Sequence, residues 1–195
     1  MYQRLPNWVL GFHGTDEDTV KAILNSPNAH LAKSENDYDW LGRGIYFWEN
    51  DPERALEFSA TRMRWKKIKG KKPAVIGAVI DLGLCLNLFD QPALAELARA
   101  HEELAFDMNL MGVQMPTNDG KNKDRVFRRL DCAVIEHAHR LRTAKRVNLP
   151  AYQTVRSGFH EGQEAYPGSG FFNKNHIQIA VRDEGCVKGY FLPRA

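Results

Sequence analysis

The chain has 195 residues, 27 Lys and Arg against 24 Asp and Glu, and a formal net charge of +3, with 43% hydrophobic and 26% charged residues. That balance is ordinary for a globular protein long enough to bury a real core, and it argues against a chain disordered by composition. No stretch approaches the ~20 apolar residues needed to cross a bilayer, and the three widely spaced cysteines, Cys85, Cys132 and Cys186, form neither an even set nor a metal-ligand grouping.

Hydrophobic periodicity predicts alternating strands and helices along the chain. The apolar run Trp8-Val9-Leu10-Gly11-Phe12 reads as a strand over 9–12 that ends at a His13-Gly14-Thr15 turn. Helical spacing over 16–24 follows, with Thr15 or Asp16 able to cap it. A second buried strand covers 45–48, and Pro52 opens a helix that runs to 65, since proline suits a first helical turn. Further strands are expected at 74–82, 151–155, 177–181 and 187–192, and helices at 92–110 and 124–141. The polar stretch 116–123 reads as an exposed loop. In the helix over 124–141, His137 lies on the apolar face and reads as a core histidine, with His139 directed elsewhere. The pattern is α+β: one domain over 1–195 with a helical mid-chain insertion at about 90–145.

Two short motifs carry the chemistry. His13 stands in Gly11-Phe12-His13-Gly14-Thr15, and Tyr46 follows 33 residues later in Gly42-Arg43-Gly44-Ile45-Tyr46-Phe47. A histidine at a strand end can face a ligand. Gly14 leaves a main-chain donor and acceptor open to close approach, which suits a carboxamide, and Gly44 lets a flat group lie near the backbone beside the Tyr46 ring.

In order and spacing these motifs resemble the ADP-ribosyltransferase superfamily, in the branch of poly(ADP-ribose) polymerases and diphtheria toxin. The resemblance implies a split antiparallel β-sheet flanked by helices, with NAD+ as co-substrate and no metal. By the same resemblance His13 holds the nicotinamide ribose, Gly14 and Thr15 border the carboxamide, and Tyr46 and Phe58 sandwich the ring. Ser34, Asn36 and Tyr38 would then border the adenosine side. The last hairpin of this branch begins with a catalytic glutamate. Here His176-Ile177-Gln178-Ile179-Ala180-Val181 occupies that place, and counting back from the final strand puts Gln178 at or next to the glutamate position. An amide can hold a ribose hydroxyl but supplies no negative charge to an oxocarbenium-like transition state. Glu161, and after it Glu164, in the Gly-rich loop ahead of this strand are the substitutes.

The run from Arg62 to Lys72 holds seven of the 27 cations in eleven residues, with Trp65 among them. Arg62, Arg64, Trp65, Lys66 and Lys67 are candidates to bind phosphates and stack a base, which makes RNA or DNA an expected acceptor. A solvated helix end that complements the macrodipole is the other reading. The expected activity is mono-ADP-ribosyl transfer to a nucleic acid or protein, in the cytoplasm and away from membranes. Small bacterial members of the superfamily include toxins and anti-phage effectors, which implies an antitoxin as a partner. The alternatives are a non-catalytic NAD+- or ADP-ribose-binding module, an NAD+ glycohydrolase, and an RNA 2′-phosphotransferase.

Overall fold

The computed structural model describes residues 8–119 and 127–194. Among the described residues nine strands and four helices follow one another as β1 (Trp8–Asp16), α1 (Glu17–Leu24), β2 (Ile45–Glu49), α2 (Pro52–Trp65), β3 (Pro73–Asp81), β4 (Cys85–Asn87), α3 (Gln91–Leu110), β5 (Asn118–Asp119), β6 (Phe127–Arg128), α4 (Arg129–Thr143), β7 (Thr154–Phe159), β8 (His176–Val181) and β9 (Val187–Phe191). Seven strands form one sheet in the order β4-β7-β8-β2-β1-β3-β9, and β5 and β6 make a separate two-residue ribbon. Within the large sheet every pairing is antiparallel except β4 with β7. The architecture is therefore α+β, a large and mostly antiparallel sheet flanked by helices. No helix among the described residues is long and apolar enough to cross a membrane.

The two faces of the sheet are buried by different helices. On one face Val20 and Ile23 of α1 close over Ile45, Phe47, Ile76, Ile80 and Ile179. On the other, Ala55 of α2 packs on Phe12 and Trp48, and Ile135 of α4 packs on Val155, Ala180 and Tyr46. Helices α3 and α4 share a cluster of their own around Ala100, Leu104, Val134 and Ala138. Helices α2 and α4 thus cover opposite halves of one face, and a strip of β2 and β8 that carries Tyr46, Trp48, Gln178 and His176 runs between them. On the α1 face Arg156 of β7 reaches across β8 to Glu49 of β2, its Nε and Nη2 donating to the two carboxylate oxygens at 2.5 and 2.9 Å. This two-pronged pair satisfies two largely buried charges at once.

The sheet parts at one place. Strand β1 pairs with β3 over all nine residues from Trp8 to Asp16, but with β2 only at Gly11–Glu49 and Phe12–Trp48. Strand β2 stays with β8 from Ile45 to Trp48. Beyond Phe12 the chain of β1 therefore follows β3 away from β2.

Several boundaries differ from the sequence reading. The strand expected over 9–12 continues to Asp16, because β3 supplies partners as far as Pro73; His13 is mid-strand, and Asp16 alone caps α1, accepting from the Thr19 backbone N–H at 3.0 Å. The strand expected at 151–155 is displaced to Thr154–Phe159. Of the helix expected over 124–141, residues 124–126 lie outside the described part, and α4 begins at Arg129 because Phe127 and Arg128 pair with β5. Part of the loop expected at 116–123, residues 120–123, also lies outside it. His137 is buried, as expected. His139 is buried as well and does not point away; its Nδ1–H donates to the Ile135 carbonyl at 2.8 Å, one turn back in α4.

Candidate functional site

His13 sits at the split. Its Nδ1 lies 2.7 Å from the carbonyl oxygen of Tyr46, so Nδ1 carries the proton and donates, and Nε2 is left as the acceptor of a neutral ring. Burial holds the His13 pKa below its ordinary value, and Arg62 in the last turn of α2 adds to this. The Nε2 of His13 makes no hydrogen bond among the described residues. The arrangement presents a bare lone pair where β1 and β2 diverge, which suits a ligand O–H or N–H.

Tyr46 is fixed from both ends. Its carbonyl holds His13, and its hydroxyl accepts from the Leu41 backbone N–H at 2.9 Å and donates to the Gly42 carbonyl at 2.8 Å. The ring is one wall of the β2–β8 strip, and its hydroxyl is kept protonated by burial, which raises its pKa well above 10. Tyr46 therefore offers a surface and no proton. Of the expected adenosine-side residues, Ser34 pairs with Gly44 through both backbone N–H groups at 2.8 and 3.1 Å. Asn36 hydrogen-bonds Ser34 Oγ and Asp39, and Tyr38 meets Phe127 edge to face. Together they order the loop that leads into β2.

Both glycines of the motifs serve packing. A Cβ on Gly14 would stand 2.0 Å from the carbonyl oxygen of Ala55, and one on Gly44 would stand 2.8 Å from that of Val181. In the direction a Cβ would take, the neighbour each glycine admits is protein backbone, α2 and β8 respectively. Thr15 is tied to α2 as well, its carbonyl accepting from the buried Ser59 hydroxyl at 2.5 Å. Phe58 does not face Tyr46 as the other half of a sandwich; it lies against Trp48 with ring centroids 4.9 Å apart. Trp48 shares its sheet face with Tyr46, two residues further along β2.

The remaining candidates gather at the head of β8. Strand β8 begins at His176, paired with Phe159 of β7, so His176 occupies the first strand position, where the resemblance puts the glutamate. Gln178 lies two residues further in, buried, and its carbonyl oxygen accepts from the Trp40 indole N–H at 2.6 Å. Glu161 comes to this place from the loop: its Oε2 is 2.5 Å from Arg54 Nη2 and 4.0 Å from His176 Nδ1. Glu164 turns back into its own loop and accepts from the Gly168 N–H at 2.8 Å. Sequence reading missed His176, Arg54 and Trp48. The available signal was that His176 heads the strand two residues before Gln178 on the same face. Among the described residues no three His, Cys, Asp or Glu side chains come together as a metal would require.

The basic run forms the end of α2 and the turn after it. Arg62, Arg64 and Trp65 lie in the last turn of the helix, Lys66 caps it, and Lys67 has a left-handed backbone, φ 52°. Trp65 is 71% exposed, and an open cleft of about 450 Å³ beside it is lined by Met63, Arg64, Lys67, Ile68, Lys69 and Lys71. Lys71 pairs with Asp16 at 3.1 Å.

No family model matches the sequence, and no solved structure matches it. The chain is 31% identical over 102 residues to an uncharacterized protein of Methanocaldococcus jannaschii, a match that covers 50% of this chain and 41% of that one. It thus spans about two fifths of that relative's length.

Proposed function

We propose that the chain is an NAD+-dependent mono-ADP-ribosyltransferase that binds the nicotinamide end of NAD+ at the split between β1 and β2. The observation that carries this reading is His13, locked by the Tyr46 carbonyl at 2.7 Å with its Nε2 unengaged. A neutral imidazole fixed in this way accepts from a ribose hydroxyl, and the half-buried Tyr46 ring beside it offers an aromatic face to a planar pyridine ring. The C1″–N bond of NAD+ breaks with its electron pair going to nicotinamide, and the ribose develops oxocarbenium character. Glu161 is the carboxylate nearest the head of β8, though it shares its charge with Arg54. The sheet order and the split support the same reading, as does the match of both motifs.

The acceptor in this reading is a macromolecule, and the basic end of α2 favours a nucleic acid over a protein. Arg62 links the two regions, since it belongs to the run and also acts on His13. The test is incubation of the purified protein with adenylate-labelled NAD+ and a whole-cell lysate, followed by separate nuclease and protease digestion. Label removed by nuclease is the expected result. Label removed only by protease places the acceptor among proteins, and nicotinamide release without label makes the chain a glycohydrolase. NAD+ that binds and stays intact leaves a binding module. His13→Ala should weaken NAD+ binding by about five- to tenfold, the worth of one hydrogen bond; titration calorimetry that finds equal affinity would move the site elsewhere.

A further inference from the structure

Among the described residues five buried side-chain nitrogens have no hydrogen-bond partner, and three of them, Trp48 Nε1, Arg54 Nε and His176 Nε2, belong to side chains packed together at the head of β8. The Trp48 ring and the His176 imidazole lie 6.1 Å apart between centroids. Arg54 and His176 share Glu161 between them, at 2.5 and 4.0 Å from the same oxygen. Unpaired buried polar atoms are uncommon, and three on adjoining side chains call for partners. Their chemistry specifies them. His176 Nδ1 lies 2.7 Å from the Lys174 carbonyl and donates to it, so Nε2 of the neutral ring is an acceptor, whereas the Trp48 indole and the Arg54 Nε are donors. A group that complements them accepts two hydrogen bonds and donates one. A hydroxyl does this. A carboxylate has no proton for His176, and an ammonium has no lone pair for Trp48 or Arg54.

From this juxtaposition we infer that Trp48, Arg54 and His176 seat the hydroxyl of the acceptor and that His176 is the general base of the transfer. The inference rests on the ADP-ribosyltransferase reading and narrows its acceptor to a hydroxyl. The hydroxyl oxygen forms its bond to C1″ of the nicotinamide ribose as the C1″–N bond breaks. Nicotinamide leaves with the electron pair, the hydroxyl proton passes to His176 Nε2, and solvent later takes it from the imidazolium. Burial holds the free His176 ring neutral, which keeps it competent as a base. The charged groups that face it are Arg54 and Asp51 from α2 and Glu161 from the loop; Trp48 and Phe159 cover the rest of the ring. Glu161 is placed to stabilise the imidazolium once it forms. The three nitrogens are shielded from solvent, so the acceptor enters as the loop 160–175 lifts from α2, to which Arg54–Glu161 and Lys174–Glu57 clasp it.

Methanol and water are the probes. The protein is incubated with NAD+ in methanol–water mixtures from pH 5 to 9, and nicotinamide, ADP-ribose and methyl ADP-ribose are quantified. The wild type is expected to form both products at a rate that climbs with pH and levels off once His176 is neutral. His176→Gln should lower both rates by about 10²–10⁴-fold, abolish that pH dependence and leave NAD+ affinity unchanged. Trp48→Phe keeps the ring, loses the donor and should slow transfer by roughly fivefold. A His176→Gln protein with the wild-type rate and pH profile overturns the assignment of the base while the transferase reading stands. A wild type that releases no nicotinamide in any mixture overturns both. If His176→Gln does not fold, the wild type is compared in H2O and D2O, where a slower rate in D2O supports proton transfer to His176 and equal rates overturn it.

Discussion

A methyl group on Gly14 would press on the Ala55 carbonyl from 2.0 Å, a distance no side-chain rotation relieves because both atoms are backbone or rigidly attached to it. Gly14→Ala is therefore expected to lift α2 from β1 and to destabilise the protein by about 1–3 kcal/mol, as other overpacked positions do. Gly189, where nothing lies within 4 Å of the added carbon, is the control, and its alanine variant should stay within about 0.5 kcal/mol of wild type in the same urea titration. Equal costs at the two positions would show that α2 does not seat on Gly14. The two motifs were legible in the sequence because residue type and spacing carry them. What each glycine accommodates was not, since the neighbours come from residues 41 and 137 positions away along the chain. The head of β8 escaped for a similar reason. Hydrophobic periodicity starts that strand at Ile177, and counting back from the final strand drew attention to Gln178, whereas pairing with Phe159 of β7 makes His176 the first strand residue.

Helix α2 shows how one element can be read at both ends and still hide its purpose. Pro52 sets its start as the sequence predicts, and Asp51 caps it, accepting from the Arg54 N–H at 2.9 Å. Its first turn supplies Arg54 to the β8 head, its middle supports Gly14 and Thr15, and its last turn carries the exposed cations. Trp65 packs against little, so Trp65→Ala should leave the urea midpoint unchanged. The same change should weaken binding of a single-stranded oligonucleotide by about 5- to 100-fold, the range of one lost stacking contact, as fluorescence anisotropy would report at fixed salt. Unaltered binding would return the run to its plainer role at a helix C-terminus. Strand β7 is the opposite case. The sequence placed a strand over 151–155, but Gln153 spends its backbone on Leu84, Arg182 and Asp183. The strand begins instead at Thr154 and runs on over Arg156, Ser157 and Gly158, polar and small residues, of which Arg156 is held by Glu49 from β2.

Across the whole molecule, four histidines, His13, His137, His139 and His176, all have pKa values lowered first of all by burial. Each binds a proton more readily in the unfolded chain, near the ordinary 6.5, than in the folded one. Between about pH 7 and pH 5 the unfolded state therefore holds more protons, so stability rises with pH across this window and falls as the solution is acidified. Asp39, whose pKa burial raises, opposes the trend only in the carboxylate range below it. At the alkaline end the sign reverses. Cys132 and Cys186 are pushed up to about 11 and Tyr152 to about 12, all chiefly by burial, so above about pH 9 the unfolded chain loses protons that the folded one keeps, and stability falls again. Urea titrations at intervals from pH 5 to 10 should trace a plateau near neutrality with a decline on both sides. Replacing His139, buried with Nδ1 committed to Ile135 and Nε2 unpaired, by Gln should flatten the acid side, because one of the groups that charges on unfolding is gone. An acid limb equally steep in His139→Gln and wild type would mean that this histidine titrates alike in both states and that the burial argument fails for it.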